Sequence, residues 1–314
     1  MMTKKVIIDC DPSADDAIAL MLAAGSPELS VEAVTTVSGV CEAKDCAEHA
    51  RQVLKLCGRA EIPVYAGAAQ PLSRKLTFDG KYCGADGLSE TGLPPSEIAD
   101  NGVSAETALC RLFGIGQKEP EKSHIVSIAP MTNLAKLLLR FPEASAQIAS
   151  IVTTNGSYSV APDKRAWNPR PSWNVAADPE AAKIVLESGV PVIAAGLDVT
   201  MQLQNALVER LLREGDPQRW QYQFLERAVQ FNRARGLEPF SLLVDAMAVA
   251  AAARPELLSL IRGKAAVCTD DGLFCGQVLF GTAGYLDGTA SDVSAAYAFD
   301  FDGFTVLLLE RVFG

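Results

Sequence analysis

The chain has 314 residues, of which 49% are hydrophobic and 21% are charged, and its net charge of −10 corresponds to a pI of about 4.8. This composition predicts a folded globular protein with a sizeable core. The acidic balance argues against a nucleic-acid binder, because an acidic surface repels phosphates. Neither a secretory leader nor a membrane span is expected, since the first apolar run breaks at Asp9 and residues 246–253 are bounded by charges.

Cysteine and histidine usage narrows the chemistry. The eight cysteines are scattered without a C-x-x-C pair, which argues against a disulfide scaffold and a zinc site and favours a reducing, cytoplasmic location. There are two histidines, so a hydrolytic mechanism would rely on other groups. His49 falls in a polar helix and is expected to be solvated, and His124 begins a strand.

Short β-branched runs alternate with longer helical stretches along the chain. Strands are predicted at residues 5–9, 31–38, 64–65, 125–128, 151–154 and 190–194, and helices at 15–24, 43–56, 133–141, 179–187, 217–235 and 242–253. Short strands at 265–269, 277–280 and 295–299, joined by Asp-Gly turns, are interpreted as a small β appendage before a terminal helix at 303–312. We therefore predict an α/β fold with an open, mostly parallel sheet flanked by helices, as one domain over residues 1–314. In such sheets, ligands bind at the carboxyl ends of the strands.

The first strand-to-helix loop carries four carboxylates, Asp9, Asp11, Asp15 and Asp16. Asp15 and Asp16 suit a helix N-terminus, and Asp15 could simply be its N-cap. Capping does not explain Asp9 and Asp11, because like charges crowded at a partly buried strand end need a neutralising cation. Carboxylate oxygens indicate calcium or magnesium.

Phosphotransferases of the haloacid dehalogenase type also open with a strand and Asp-x-Asp. Here Pro12 and Ser13 follow Asp11, and that scheme leaves the Asp15–Asp16 pair unexplained. The loop therefore favours a metal site over that alternative.

The loop resembles the opening motif of the inosine–uridine-preferring nucleoside hydrolase family, and further similarities follow in order along the chain. They are Thr35-Thr36-Val37-Ser38-Gly39, Gly84-Ala85-Asp86-Gly87-Leu88, Ala129-Pro130-Met131-Thr132-Asn133, Trp173-Asn174 with Asp178-Pro179-Glu180, Asp245-Ala246 and Phe299-Asp300-Phe301-Asp302. So many motifs in one order favour the family's fold.

The resemblance implies a role for each matching residue. Calcium would be bound by Asp11, Asp16, Asp245 and the main-chain carbonyl of Ile128. Asp15 and Asn174 would hydrogen-bond the ribose hydroxyls, and Asp9 would orient Asp11 or the metal water. Asn168 would contact the 5′ side, although its Trp-Asn-Pro setting fits a turn residue equally well. Trp173 and Trp167 could add stacking surface or could simply pack in the interior.

The implied reaction is hydrolysis of an N-glycosidic bond, with calcium lowering the pKa of a water and Asp11 taking its proton. The chain departs from the family where a histidine would protonate the leaving base, because Val244 and Cys83 stand there. Val40 and Ser172 also replace polar residues of the family. Replacement donors could come from the predicted helix 217–235, whose candidates are Tyr222, Gln223, Asn232, Arg233 and Arg235.

Three functions fit these observations. The first is a calcium-dependent N-ribohydrolase with altered base recognition. The second is a hydrolase of another pentose or sugar derivative, and the third is a calcium- and sugar-binding protein without catalysis. The intact aspartates disfavour the third, and the resemblance implies a homodimer or homotetramer.

Overall fold

The computed structural model describes residues 3–76, 80–117, 122–160, 171–282, 284, 286, 288 and 290–314. Its strands are β1 (Lys4–Cys10), β2 (Leu29–Thr36), β3 (Val64–Ala66), β4 (Ser123–Ser127), β5 (Ile148–Thr153), β6 (Pro191–Ala194), β7 (Leu258–Val267), β8 (Val278–Gly281) and β9 (Asp292–Phe299). Its helices are α1 (Ala14–Gly25), α2 (Ala43–Leu56), α3 (Gly80–Cys83), α4 (Ala105–Leu112), α5 (Thr132–Arg140), α6 (Trp173–Ala177), α7 (Pro179–Leu186), α8 (Leu197–Thr200), α9 (Asn205–Glu214), α10 (Trp220–Ala234), α11 (Val244–Ala253) and α12 (Phe301–Leu308). Short 3₁₀ turns cover Pro142–Ala146, Pro239–Leu243 and Pro255–Leu257, and a π turn follows at Leu309–Phe313.

The strands of the described residues form one nine-stranded sheet in the order β3-β2-β1-β4-β5-β6-β9-β7-β8. The first seven strands in this order, which end with β9, pair in parallel. The remaining strand β7 is antiparallel to both of its neighbours, β9 and β8. The predicted mostly parallel sheet flanked by helices is therefore confirmed.

The C-terminal strands are joined to the main sheet more closely than the predicted small β appendage implied. β9 continues the main sheet by pairing in parallel with β6, and β7 starts at Leu258, well before the predicted residue 265. Only the outer β7–β8 pair extends beyond the parallel part. The sequence could not reveal this, because the pairing partner of β9 lies about a hundred residues earlier in the chain.

Helices α1 and α11 pack against each other. Every residue of α11 from Asp245 to Ala253 is buried, so this helix lies within the core rather than on its surface. Because β1 and β4 run in parallel with Asp9 opposite Ser127, the loops that follow them open on the same edge of the sheet. In the part of the chain that the structure describes, no helix has both the length and the apolar character needed to cross a bilayer.

Candidate metal and substrate site

The loop between β1 and α1 is folded around its own carboxylates. The backbone N–H groups of Asp11 and Ser13 donate to the Asp16 carboxylate at 3.3 and 3.2 Å, and the Ser13 hydroxyl donates to Asp15. The N–H of Val40 donates to Oδ2 of Asp11 at 2.9 Å. Ser13, not Asp15, is the N-cap residue of α1. Asp15 therefore lies in the first helical turn, and its side chain faces the cavity described below.

Asp245 lies beside this loop although it is far away in the sequence. It is the second residue of α11, is 6% exposed, and accepts a hydrogen bond from Thr154 Oγ1 at 3.0 Å. Carboxylate oxygens of Asp15, Asp16 and Asp245 all lie within 4.8 Å of one another. As expected, Asp245 lies close to the aspartate loop, and Asp15 belongs to the group of three carboxylates that it forms there.

The electrostatics of this cluster are unfavourable without a positive partner. Burial raises the pKa of Asp11, Asp16 and Asp245 well above the usual range, and repulsion from neighbouring carboxylates adds to it. For Asp245, the repelling neighbours are Asp15 and Asp16. Among the described residues that line the cavity, none is lysine, arginine or histidine. The residues present therefore fit a divalent cation, which would neutralise them.

Asp9 is held by hydrogen bonds from the neighbouring strand β2 and from helix α5. It is fully buried at the end of β1, where Oδ1 accepts hydrogen bonds from Thr35 Oγ1 at 2.6 Å and Asn133 Nδ2 at 2.8 Å. Its Oδ2 has no partner within the described residues, and burial raises its pKa to about 6. These contacts connect Asp9 to β2 and α5, and Asp11 is not among its hydrogen-bond partners there.

The predicted carbonyl ligand and the predicted ribose ligand are in direct contact. Nδ2 of Asn174, in α6, donates to the carbonyl oxygen of Ile128 at 2.8 Å. A carbonyl oxygen has two lone pairs, so Ile128 can accept this bond and still face a cation. The two residues to which the sequence assigned separate roles are therefore joined by one hydrogen bond.

Asp11, Asp15, Asp16, Asp245, Ile128 and Asn174 all line one cavity of about 450 Å³. Its described lining residues are Asp11, Ser13, Ala14, Asp15, Asp16, Gly39, Val40, Tyr82, Ser89, Ile128, Thr154, Asn155, Ser172, Trp173, Asn174, Leu197, Asn232, Leu237, Glu238, Ser241, Leu242, Val244 and Asp245. Trp173 is 54% exposed at the mouth, and its ring centroid lies 6.1 Å from that of Tyr82. These two rings, here called the aromatic wall, line the same cavity as the carboxylates.

The positions that depart from the family's pattern have local structural roles. The Ser172 hydroxyl accepts a hydrogen bond from the N–H of Gly156 at 2.8 Å, which attaches the start of α6 to the loop after β5. Cys83 is 3% exposed and donates to the carbonyl of Val40 at 3.8 Å, behind the cavity wall. Val244 lines the cavity with an apolar side chain.

The expectation that His49 is solvated was wrong. His49 is 7% exposed, and its Nδ1 lies 2.8 Å from the carbonyl oxygen of Pro12. Because a carbonyl oxygen only accepts, Nδ1 carries the proton. His124 lies in β4, as predicted, and bonds Ser150. Asn168 and Trp167 lie outside the described residues.

Of the five donor candidates on the predicted helix 217–235, Asn232 is the one that lines the cavity. Its Nδ2 lies 3.2 Å from Ser241 Oγ, which also lines the cavity. The Tyr222 hydroxyl instead donates to the carbonyl of Leu212 at 3.0 Å, and Arg235 contacts Glu90. An amide and a hydroxyl are therefore among the polar groups that line the cavity together with Val244.

Sequence reasoning missed several residues of the cavity wall. Thr154 and Asn155 follow β5 at the strand end where ligands were expected, yet neither was selected. Tyr82 lies in the short helix α3 and Glu238 precedes the turn Pro239–Leu243, and the placement of both depends on tertiary packing. The position of Thr154 and Asn155 directly after β5 was the one sequence signal that could have identified them as cavity residues.

The chain was compared with known proteins. A family model described as inosine-uridine preferring nucleoside hydrolase matches residues 6–305. The pyrimidine-specific ribonucleoside hydrolase RihA of Salmonella arizonae is 38% identical over 218 residues, covering 69% of this chain and 68% of that protein. RihA of Photobacterium profundum matches with the same identity and coverage.

Solved structures agree in fold over almost the full length. The plant nucleoside hydrolase PpNRh1 superposes with a TM-score of 0.85 at 28% identity, covering 99% of both chains. The inosine-guanosine nucleoside hydrolase IG-NH has the same TM-score and coverage at 25% identity.

Proposed function

Because the chain belongs to the inosine-uridine preferring nucleoside hydrolase family, whose members are N-ribohydrolases, we propose that it cleaves ribonucleosides in a calcium-dependent reaction with Asp11 as general base. The observation that carries this proposal is the buried cluster of aspartates at the floor of a cavity that lacks basic side chains among its described residues. Such a cluster is suited to a cation and to a substrate that develops positive charge.

The proposed ligands of the cation are the carboxylates of Asp11, Asp16 and Asp245 and the carbonyl oxygen of Ile128. All four residues line the cavity. Calcium accepts many oxygen ligands in flexible geometry, whereas magnesium retains most of its waters and demands a regular octahedron. A set of several carboxylates and a carbonyl therefore favours calcium. When bound, the cation would acidify and orient a water molecule.

Asp11 is suited to remove a proton because its carboxylate and its backbone are both held by hydrogen bonds. Val40 N–H holds Oδ2 at 2.9 Å, and the Asp11 backbone is held by Asp16 at 3.3 Å. A base fixed in this way needs little reorganisation to reach its proton. The surrounding negative carboxylates would stabilise the oxocarbenium-like sugar of the transition state.

The sugar would be bound through its hydroxyls by Asp15 and Asn174, which flank the metal ligands. The Asn174 amide is held by Ile128 at 2.8 Å, so its position depends on a proposed metal ligand. This arrangement would align the ribose only when the metal site is intact.

The leaving base would occupy the other side of the cavity, near Asn232, Ser241 and the aromatic wall of Tyr82 and Trp173. Aromatic side chains suit a planar base, because ring faces stack favourably. Since no histidine lines the described cavity, base recognition would depend on the amide and hydroxyl groups.

The proposal is tested by base release from a panel of purine and pyrimidine ribonucleosides, after chelation and after adding back calcium or magnesium. We expect activity on at least one ribonucleoside with calcium, and a loss of roughly a hundred- to ten-thousandfold in Asp11→Ala. Asp271→Asn is the control, because its side chain is 96% exposed. Full activity of Asp11→Ala would contradict the general-base assignment, and equal rates in chelator would contradict the cation.

Self-association is part of the same proposal. A homodimer or homotetramer is expected from the family likeness, and light scattering coupled to gel filtration would measure the mass. A monomer would contradict it.

A further inference from the structure

Three cysteines from separate segments of the chain meet in the structure. The thiol of Cys41, in the loop after β2, contacts the thiols of Cys46 and Cys83, and these contacts shift the pKa values of the three groups. Cys46 is fully buried in α2, and Cys83 is the last residue of α3 and is 3% exposed. All three are free thiols. Because a disulfide requires two sulfurs to approach each other closely, thiols in contact are suited to form one.

Cys41 is the member of this group that a reagent from solution can reach. It is partly exposed and lines a second cavity of about 300 Å³, which shares none of its described lining residues with the cavity of the aspartate cluster. Gly87 lines the same second cavity, and a β-carbon there would lie 2.8 Å from Sγ of Cys41. Since glycine has no side chain, a small oxidant can approach this sulfur without entering the substrate cavity.

A bond between Cys41 and Cys83 would join two segments of the substrate cavity. Val40, which precedes Cys41, lines that cavity, and its N–H donates to Oδ2 of Asp11 at 2.9 Å. Tyr82, which precedes Cys83, belongs to the aromatic wall. The thiol of Cys83 donates to the carbonyl of Val40 at 3.8 Å. A disulfide would remove this donor and shift the peptide groups of Val40, so the N–H that holds Asp11 would move.

Cys83 is better placed than Cys46 to become the partner of Cys41, because its segment can adjust. Helix α3 is a single turn of four residues, and Gly84 follows it with a φ of 77°. Cys46 instead lies in α2, which has 14 residues and buries this side chain completely. A disulfide has a specific geometry, and a short turn can shift to reach it at a lower cost than a packed helix.

We propose that Cys41 is an oxidative modification site, at which hydrogen peroxide joins it to Cys83 in a disulfide that lowers the rate of turnover. In the first step, the sulfur of Cys41 takes one oxygen atom from the peroxide, which gives a sulfenic acid and one molecule of water. The thiol of Cys83 then attacks this sulfur, and a second molecule of water leaves as the disulfide forms. The two thiols are oxidised and the peroxide is reduced. The effect on turnover rests on the proposed function, whereas formation of the disulfide does not.

The reaction is expected to be slow at neutral pH. The contact with Cys46 raises the pKa of Cys41 to about 12, and burial adds to this shift. Because the thiolate is the reactive form, a protonated thiol responds to a sustained exposure to peroxide rather than to a brief one.

The test follows the disulfide and the activity separately. Wild type, Cys41→Ser, Cys83→Ser and the control Cys110→Ser are incubated with hydrogen peroxide, and linked peptides are identified by mass spectrometry after free thiols are blocked. Base release with calcium is measured before and after treatment with dithiothreitol. We expect a Cys41–Cys83 link in wild type, with a fall of roughly ten- to a hundredfold in rate that dithiothreitol reverses. Cys110 lies in α4 and no cysteine perturbs its pKa, so Cys110→Ser should behave like wild type. The other two variants should form no such link and should keep their untreated rates.

The outcomes separate this inference from the proposed function. If the link forms but wild type releases base at the same rate before and after oxidation, the inference is overturned. It is also overturned if Cys41 remains a thiol, if it pairs with Cys46, or if it is oxidised to an acid that dithiothreitol does not reduce. If reduced wild type releases no base from any ribonucleoside, the proposed function fails, and the linked peptide still decides whether the modification site exists.

Discussion

Replacing Asp245 by asparagine is expected to stabilise the protein in chelator and to destabilise it relative to wild type in calcium. In the cation-free protein, Asp245 adds a third buried carboxylate to Asp15 and Asp16, and burial and repulsion raise its pKa. Asparagine has nearly the same shape and no charge. The substitution therefore removes repulsion in one condition and a metal ligand in the other.

The magnitude follows from the geometry. Two unit charges 4.8 Å apart repel by roughly 3 kcal/mol at an effective dielectric constant of about 20. Partial protonation reduces this repulsion, and weakening the 3.0 Å bond from Thr154 costs about 1 kcal/mol. We therefore expect Asp245→Asn to gain about 1 kcal/mol in the free energy of unfolding without the cation.

Calcium should invert the order of stability. At a concentration about a hundred times its Kd, calcium would stabilise wild type by about 2.7 kcal/mol, and a variant that lacks one ligand would gain much less. The assay is urea unfolding followed by circular dichroism at neutral pH, with chelator or with saturating calcium. Asp271→Asn, with the same change in net charge at a 96% exposed side chain, should behave like wild type in both. If Asp245→Asn were less stable than wild type in chelator as well, the reasoning about crowded charges would be refuted.

Three further substitutions test other parts of the structure. Gly39→Ala would place a β-carbon in steric conflict with Oδ2 of Asp11, so we expect kcat to fall at least tenfold, and unchanged steady-state kinetics would contradict this. Trp173→Ala should raise KM several-fold with little change in kcat, because stacking with the base is lost; an unchanged KM would place the base elsewhere. Burial raises the pKa of Glu28, but its hydrogen bonds, including one from Arg254 at 3.1 Å, lower the pKa overall. The ionised Glu28 therefore stabilises the folded state at neutral pH, and this stabilisation is lost as the pH falls through the folded-state pKa. Glu28→Gln should therefore cost about 1 kcal/mol at pH 7 and almost nothing near pH 3 in urea unfolding, and a cost independent of pH would contradict the ion pair.

The sequence was most informative where local pattern and chemistry coincided. The apolar strand β1, followed by Asp11 and the Asp15–Asp16 pair, predicted a strand, a loop and a helix N-terminus at the correct positions. Asp245 was predicted to join them from the resemblance to the nucleoside hydrolase family. The structure brings it to that loop, since α1 packs against α11.

Features that depend on distant partners could not be predicted. His49 can be buried because its Nδ1–H donates a hydrogen bond to the carbonyl oxygen of Pro12, 37 residues earlier. Helical spacing gave a partial signal, since His49 lies three residues after the buried Cys46 and four before the buried Val53. Asn155 was missed because its burial in the cavity wall depends on the carbonyl of Ala129, which accepts a hydrogen bond from it and which the sequence does not place beside it.

A crystal structure of the protein grown with calcium and ribose would test the central claim most directly. We predict one ion bound by carboxylate oxygens of Asp11, Asp16 and Asp245 and by the Ile128 carbonyl, with the sugar hydroxyls on Asp15 and Asn174. Density without an ion between these carboxylates, or with ribose bound away from them, would contradict it.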